Sequence, residues 1–194
     1  SSEAERSDKD LMARLQAGDL EAFNALYARY ARPLLNFFFQ MCFDRTASED
    51  YLQETFLRVW RARQTYRPIG KVSTWLFQIA KNYWLNEREK LKRRPFNTAV
   101  GGEDLTSSEV ADIDRTTSPT EALHAKETAE TIRKAAGELS EKLRLVFILG
   151  RYQGMPYAEI GRVLDIPVGT VKSRMSLAEK TLRAKLGPLL ENRE

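Results

Sequence analysis

Cysteine and histidine are almost missing from this 194-residue chain, which has only Cys42 and His124. A single thiol cannot form an intrachain disulfide, and one cysteine with one distant histidine is too few to hold zinc. No apolar stretch approaches the ~18 residues that a membrane-spanning helix requires, and no secretory signal is visible. We therefore expect a cytoplasmic protein with no metal, no cofactor and no membrane insertion.

The residue groups that enzymes use are also missing. A glycine-rich phosphate loop is not found, because the Gly101-Gly102 pair lies among acidic residues. Cys42 lies in an apolar run that is typical of a core, and His124 stands at the edge of a stretch that resembles a linker. The carboxylates are numerous but scattered, which by itself excludes nothing. The sequence favours a protein that is not an enzyme.

Composition divides the chain into three parts. Residues 97–120 have no aromatic residue and many Gly, Ser and Thr, and five acids stand there against Arg115 alone. Such a stretch cannot bury enough apolar surface to fold by itself. The flanking parts carry apolar residues at helical spacing. We predict an all-α fold with two small helical domains, at 8–95 and 121–190, joined by a flexible acidic linker at 96–120.

Capping residues mark the first helices of the amino-terminal domain. Gly18 ends a short first helix, and Asp19 provides the N-cap of a long second one. Pro33 is expected to kink this second helix or to split it near residue 32. A third helix is predicted to follow the polar turn at 44–48.

The third helix is amphipathic over the stretch EDYLQETFLRVW, residues 49–60. Its apolar residues fall on one face, while Asp50, Gln53 and Glu54 form an acidic ridge that also carries an amide. By itself this pattern predicts either a solvated face or a surface that meets a basic partner helix.

The fourth helix carries aromatic and basic residues together. Residues 63–72 contain Pro68 and Gly70 and are predicted to form a loop, after which Ser73 caps a helix over 74–93. Interleaved aromatic and basic side chains suit single-stranded nucleic acid, whose bases stack and whose phosphates pair with cations. Several of the aromatics also follow core spacing, so the pattern alone is equally consistent with packing and solvated charge.

The carboxy-terminal domain is predicted to have helices near 121–136, 140–152, 157–164 and 168–186. The short turn at 165–167 joins the last two, which is a helix-turn-helix arrangement. The final helix begins with polar and basic residues: Thr170, Lys172, Ser173 and Arg174. A helix amino terminus attracts phosphate, and these side chains can reach base edges in the major groove. The pattern indicates DNA binding, the alternative being a helical hairpin with a solvated charged face.

These three motifs, in this order and spacing, resemble the extracytoplasmic-function (group IV) sigma factors of bacterial RNA polymerase. The third helix is similar to the polymerase-binding helix of that family. STWLFQIAKN at 73–82 is similar to its promoter-melting and −10-reading segment, and residues 139–174 are similar to its −35-reading module. The resemblance implies sigma domain two at 8–95 and sigma domain four at 121–190. It implies a factor that binds core polymerase, recognises the −35 and −10 promoter elements and promotes DNA melting for transcription initiation.

The resemblance also assigns roles to residues. Docking on the largest subunit of core polymerase falls to Asp50, Gln53, Glu54 and Phe56. Reading of the −10 element, with one base flipped out of the non-template strand, falls to Ser73, Thr74, Trp75, Lys81, Asn82, Asn86 and Arg88. Reading of the −35 element in the major groove falls to Thr170, Lys172, Ser173 and Arg174. Leu177 and Glu179 depart from the family, which frequently has Arg there, so the −35 sequence that this chain reads stays open.

Two further expectations follow from the resemblance. An anti-sigma factor is expected to cover the polymerase- and DNA-binding faces, and the acidic linker is expected to lie in a basic channel of polymerase as a mimic of nucleic acid. The rival interpretation is a dimeric activator or repressor. Such a regulator would bind duplex DNA without polymerase and would leave the residues of 73–94 without a role.

Overall fold

The computed structural model describes residues 3–93 and 131–191, with side chains over 7–93 and 131–187. Within these ranges the chain forms helices and turns and no strand, which confirms the all-α prediction. The predicted linker at 96–120, Arg94 and His124 lie outside the described residues.

Eight helices are described in the two ranges. The amino-terminal half consists of α1 (Glu3–Gln16), α2 (Leu20–Cys42), α3 (Arg45–Ala62) and α4 (Val72–Arg93), with a 3-10 turn at Arg63–Thr65. The carboxy-terminal half consists of α5, described over 131–137, α6 (Glu141–Phe147) with a π-helical turn at Ile148–Tyr152, α7 (Tyr157–Leu164) and α8 (Val168–Glu191).

The capping residues of the first helices are confirmed. Gly18 has a φ of +89°, which only glycine adopts without strain, and it follows the end of α1. The Asp19 carboxylate accepts hydrogen bonds from the backbone N–H of Glu21 at 2.8 Å and of Ala22 at 3.3 Å. These bonds satisfy two of the amide groups that the first turn of a helix leaves unpaired.

The structure excludes one of the two alternatives at Pro33 and moves one predicted boundary. Pro33 does not split the second helix, since α2 continues from Leu20 to Cys42 with Pro33 inside it. The residues that follow Pro33 are deeply buried, and their packing outweighs the one backbone hydrogen bond that proline cannot make. Ser73 does not cap the fourth helix, because α4 begins at Val72. The Val72 side chain is buried in the core, so tertiary packing extends the helix beyond its predicted start.

The core consists of two apolar clusters. One joins α1, α2, α3 and α4 through Leu11, Met12, Leu15, Ala22, Leu26, Val59, Tyr66, Val72 and Leu76. The other extends from α2, α3 and α4 into the carboxy-terminal helices, so the two halves share buried apolar surface. The halves are therefore packed against each other.

Arg144 of α6 contributes a polar link between the halves. Its guanidinium donates to the carbonyl of Met41, at the end of α2, at 3.1 Å. It also donates to the carbonyls of Ala136, Gly137 and Leu139, which fixes the turn between α5 and α6. At Gly137 an added Cβ would lie 2.9 Å from Cε2 of Phe43, so a small residue is needed where the turn meets α2.

The Asp8 carboxylate is buried on α1 and holds that helix to α2. It accepts hydrogen bonds from the guanidinium of Arg29 and from the phenol of Tyr30. Burial and the neighbouring carboxylate raise the pKa of Tyr30, which keeps the phenol protonated as a donor.

Replacement of this carboxylate is expected to destabilise the amino-terminal half. Asp8→Ala removes the acceptor of two part-buried donors and should lower the free energy of unfolding by about 1–3 kcal/mol. Urea denaturation followed by circular dichroism measures the loss. Asp10→Ala, at an exposed site on the same helix, is the control and should stay within about 0.5 kcal/mol of the parent. Equal losses in the two variants would contradict the assignment.

Candidate nucleic-acid and protein interfaces

The outer face of α3 carries the predicted polymerase-docking residues. Asp50 and Gln53 are exposed, and the partly exposed Glu54 carboxylate pairs with Arg58 at 3.0 Å. Leu57, which the sequence reasoning did not single out, is 50% exposed and lies one turn beyond Gln53 and Glu54. We call these four residues, Asp50, Gln53, Glu54 and Leu57, the α3 ridge. The signal for Leu57 was its spacing of four residues from Gln53.

Phe56 does not lie with the other predicted docking residues. Its side chain is 3% exposed and contacts the rings of Phe23 and Tyr27, with centroids at 5.9 Å and 4.7 Å. Phe56 therefore anchors α3 on α2 from the inside. The structure therefore does not place Phe56 on the face that carries Asp50, Gln53 and Glu54.

The predicted −10 residues divide between two faces of α4. Trp75, Asn82 and Asn86 follow one another at intervals of seven and four residues and share a face. Both asparagines are exposed, while Trp75 is half-buried against the ring of Tyr66, with centroids 5.1 Å apart. In the loop that precedes α4, Ile69 is 81% exposed. This face and this loop present aromatic, apolar and amide groups to solvent.

The other face of α4 carries Lys81 and Arg88 and meets the carboxy-terminal half. Arg88 pairs with Glu141 of α6 at 3.3 Å, and Gln78 donates to the carbonyl of Arg162 at 2.8 Å. Burial lowers the pKa of the Lys81 ammonium, an effect that the nearby Asp165 carboxylate opposes. Lys81 and Arg88 are thus engaged by the second half of the chain in this arrangement.

The remaining residues of the predicted set lie at the start of α4. Ser73 is half-buried, and Thr74 is buried in the first turn. Lys71, one residue before the helix, forms an ion pair with Glu159 of α7 at 2.7 Å. Glu159 is buried, with 9% of its surface exposed. The amino terminus of the helix-turn-helix therefore lies over the amino terminus of α4.

The helix-turn-helix is formed by α7 and α8, with the turn at Asp165, Ile166 and Pro167. Asp165 has a left-handed backbone with a φ of +55° that ends α7. At Gly161 an added Cβ would lie 2.9 Å from the carbonyl oxygen of Ile166, so glycine lets the turn fold back closely. Buried residues pack α8 against the rest of this half: Val171, Met175, Ala178 and Leu182.

Three of the predicted −35 residues share the face of α8 that lies away from this packing. Ser173 is exposed, Thr170 and Arg174 are partly exposed, and the Ser173 hydroxyl donates to the carbonyl of Thr170 at 3.1 Å. Leu177 continues the same face one turn later and is 52% exposed. Lys172 is exposed on the flank of the helix.

Each half of the chain matches a family model for one region of the Sigma-70 proteins. Residues 26–94 match Sigma-70 region 2, and residues 129–182 match Sigma-70, region 4. The RNA polymerase sigma-H factor of Pseudomonas aeruginosa is 32% identical over 190 residues, which cover 96% of this chain and 97% of that protein. The ECF RNA polymerase sigma-E factor of Haemophilus influenzae is 30% identical over 95% of this chain and 97% of its own length. The chain belongs to the extracytoplasmic-function sigma factors.

Solved structures agree with this assignment. The structure of CnrH in complex with the cytosolic domain of CnrY is similar with a TM-score of 0.63 and 26% identity, over 97% of this chain and 99% of that one. The sigma factor RpoE of Bartonella quintana, solved with the anti-sigma factor NepR, shares the fold with a TM-score of 0.68 at 20% identity over 85% of this chain.

The family membership confirms the function expected from the sequence. A sigma factor acts with core RNA polymerase and promoter DNA in transcription initiation, and its two regions correspond to the two helical halves of this chain. Sigma factors are known as initiation factors rather than as catalysts. Among the helices that the structure describes, none is long and apolar enough to cross a membrane.

The ion pair between Lys71 and Glu159 is expected to favour the packed arrangement of this sigma factor. Lys71→Glu should lower the ratio of packed to separated molecules roughly fivefold, which corresponds to about 1 kcal/mol for a partly exposed pair. Single-molecule energy transfer between dyes at the exposed positions Thr46 and Ser176 measures the ratio.

The reversed pair is the matched test. Lys71→Glu combined with Glu159→Lys should restore most of the packed population, whereas Lys9→Glu, at an exposed site on α1, should leave it unchanged. Failure of the double variant to recover would show that the pair does not hold the two halves together.

Proposed function

We propose that this sigma factor uses three surfaces: the α3 ridge to dock on core polymerase, α4 with its preceding loop to read and melt the −10 element, and α8 to read the −35 element. The observation that carries the proposal is that each of the three helices exposes polar residues of its predicted set to solvent. Asp50 and Gln53 on α3, Asn82 and Asn86 on α4, and Ser173 with Lys172 on α8 are exposed.

The α3 ridge has the composition of a protein-docking surface. Carboxylate and amide groups at Asp50, Gln53 and Glu54 lie along the helix face one to two turns before the exposed apolar side chain of Leu57. An apolar contact enclosed by polar groups is the arrangement in which a few residues supply most of the binding energy. The acidic groups suit a basic partner helix, and they orient it by charge complementarity.

The exposed face of α4 suits separated strands rather than duplex DNA. Asn82 and Asn86 offer amide donors and acceptors to unpaired base edges. Trp75, which packs against the ring of Tyr66, offers a ring on which a base can stack. A base that leaves the stack costs a few kcal/mol. We therefore expect melting to require the polymerase-bound factor rather than the free chain.

The exposed face of α8 suits the major groove of duplex DNA. Arg174 can form paired hydrogen bonds with guanine, and the hydroxyl groups of Thr170 and Ser173 can contact bases or phosphates. Lys172, on the flank of the helix, is positioned for the phosphate backbone, which fixes orientation without reading sequence. Two modest binding surfaces on one chain gain affinity together when both elements are present at the correct spacing.

The packed arrangement cannot bind both elements at once. Elements named −35 and −10 lie roughly 25 base pairs apart, which is about 85 Å along duplex DNA, whereas α7 contacts α4 directly. We infer that the halves separate when polymerase is bound. The 25 residues of the predicted linker at 96–120, fully extended, could span about 90 Å, which is enough for this distance. The five acids of 97–120 are proposed to lie in a basic channel of polymerase during initiation.

An anti-sigma factor is the proposed regulator of this chain. The sigma factor RpoE of Bartonella quintana is solved with one, and CnrH is solved with the cytosolic domain of CnrY. A partner that holds the halves together would keep Lys81 covered by the carboxy-terminal half. It would also keep the α4 and α8 surfaces from reaching the −10 and −35 elements at the same time. We propose that the chain acts in the bacterial cytoplasm, where it needs no cofactor and catalyses no reaction of its own.

Core binding and promoter melting test the proposal directly. The full chain, mixed with sigma-free core polymerase, is expected to co-elute with it and to form open complexes on a promoter library. Tight binding to duplex DNA by the chain alone, with no affinity for core polymerase, would instead identify a conventional dimeric regulator.

Two exposed acids on different helices provide a matched pair of variants for docking. Asp50→Lys reverses a charge on the α3 ridge and should weaken core binding at least tenfold, because a like charge would face the basic partner helix. Asp10→Lys makes the same charge reversal at an exposed site on α1 and should stay within about threefold, the size of a remote screened charge effect. Surface immobilisation of core polymerase gives both affinities. Equal weakening by the two variants would place the docking face elsewhere.

A further inference from the structure

Leu177 is a large apolar side chain on the DNA-facing side of α8. It is 52% exposed, and it follows Ser173 by four residues and Arg174 by three, so the three share one face. The buried residues of this helix, among them Val171 and Met175, lie on the other side. Leu177 is therefore not part of the core that α8 builds with its neighbours.

Glu179 does not share this surface. Its carboxylate pairs with the guanidinium of Arg151, in the π-helical turn that precedes α7. The pair neutralises the acid, and Arg151 holds it on the flank of α8 away from Ser173 and Leu177. Glu179 is thus engaged by a partner within the protein, whereas Leu177 faces outward.

Leu177 lies farther along the axis of α8 than the polar residues before it. With a rise of about 1.5 Å per residue, Leu177 lies about 6 Å farther along the axis than Ser173. This distance corresponds to roughly two base-pair steps of about 3.4 Å. A helix that places Ser173 and Arg174 against one part of the −35 element places Leu177 against bases that those residues do not reach.

The chemistry of leucine limits what it can recognise there. Its side chain has no hydrogen-bond donor or acceptor, and the apolar group that the major groove presents is the C5-methyl of thymine. A guanine or cytosine in the same place would lose water from its polar edge without gaining a partner, which is unfavourable. Arginine in this position would favour guanine instead.

We propose that Leu177 is a specificity-determining residue that contacts a thymine C5-methyl group in the −35 element. This inference rests on the proposed function of α8 as the −35-reading helix and extends it to one further base.

The test uses holoenzyme assembled from core polymerase and the full chain, with a promoter library randomised over the −35 element. The parent should select thymine at one position, with about fivefold discrimination over the other bases. Leu177→Ala should lose this preference at that position alone, and Leu177→Arg should move it to guanine. Leu20→Ala, an exposed leucine on α2, is the control and should select the same sequences as the parent.

Deoxyuridine provides a probe that needs no variant. Replacement of the selected thymine by deoxyuridine removes only the methyl group, and it should reduce open-complex formation by the parent about fivefold. The same replacement should have no effect on Leu177→Ala. Equal activity of the parent on thymine and deoxyuridine would overturn the proposal.

The outcomes separate this inference from the function on which it rests. If Arg174→Ala weakens −35 selection while the Leu177 variants and deoxyuridine change nothing, α8 reads the element without Leu177 and the inference is wrong. If the parent selects no −35 sequence although it binds core polymerase, the reading function of α8 fails, and the inference fails with it.

Discussion

Phe37 and Phe38 are fully buried on α2, and each holds one functional helix in place. Phe37 packs edge-to-face against Phe77 of α4 at 5.7 Å, and Phe38 contacts Tyr51 of α3 at 5.5 Å. Because the inner faces of α3 and α4 are committed to this packing, their opposite faces must point outward. The α3 ridge and the asparagine face of α4 are consequences of the same apolar contacts, so their positions relative to each other are set by the core rather than by the surface residues themselves.

The contact between the halves combines a shared apolar cluster with polar contacts that are weak one by one. The pairs Lys71–Glu159 and Arg88–Glu141 both include a partly exposed cation, and exposed pairs each contribute about 0–1 kcal/mol. The hydrogen bond from Gln78 adds a similar amount. An interface of this kind can be displaced by a partner that binds the separated halves more strongly, since a ligand shifts an equilibrium by its difference in affinity for the two states. Core polymerase and an anti-sigma factor would bias the same equilibrium in opposite directions.

On α8, the residues proposed to contact DNA and the residues that pair with the rest of the protein lie on different sides of the helix, which their charges alone do not show. Glu179 and Arg151 neutralise each other on one flank, so an acidic residue can stand in a DNA-binding helix without repelling phosphate. Leu177 occupies the outward face with no charge at all. If α8 reads the −35 element as proposed, its specificity depends on which side of the helix axis a residue occupies as well as on the residue type.

Sequence by itself determined the helical fold, the caps at Gly18 and Asp19, the helix-turn-helix and the family, because periodicity, capping chemistry and linked motifs are local signals. Tertiary structure decided the rest. Helical spacing placed Phe56 on the apolar face of α3, whereas the docking role assigned to it came from the resemblance; the structure shows that the side chain is buried. The early start of α4 at Val72 and the unbroken α2 at Pro33 depend on packing against other helices. The contact of Lys71 with Glu159 joins polar residues far apart in the chain, and no local pattern encodes such a pair.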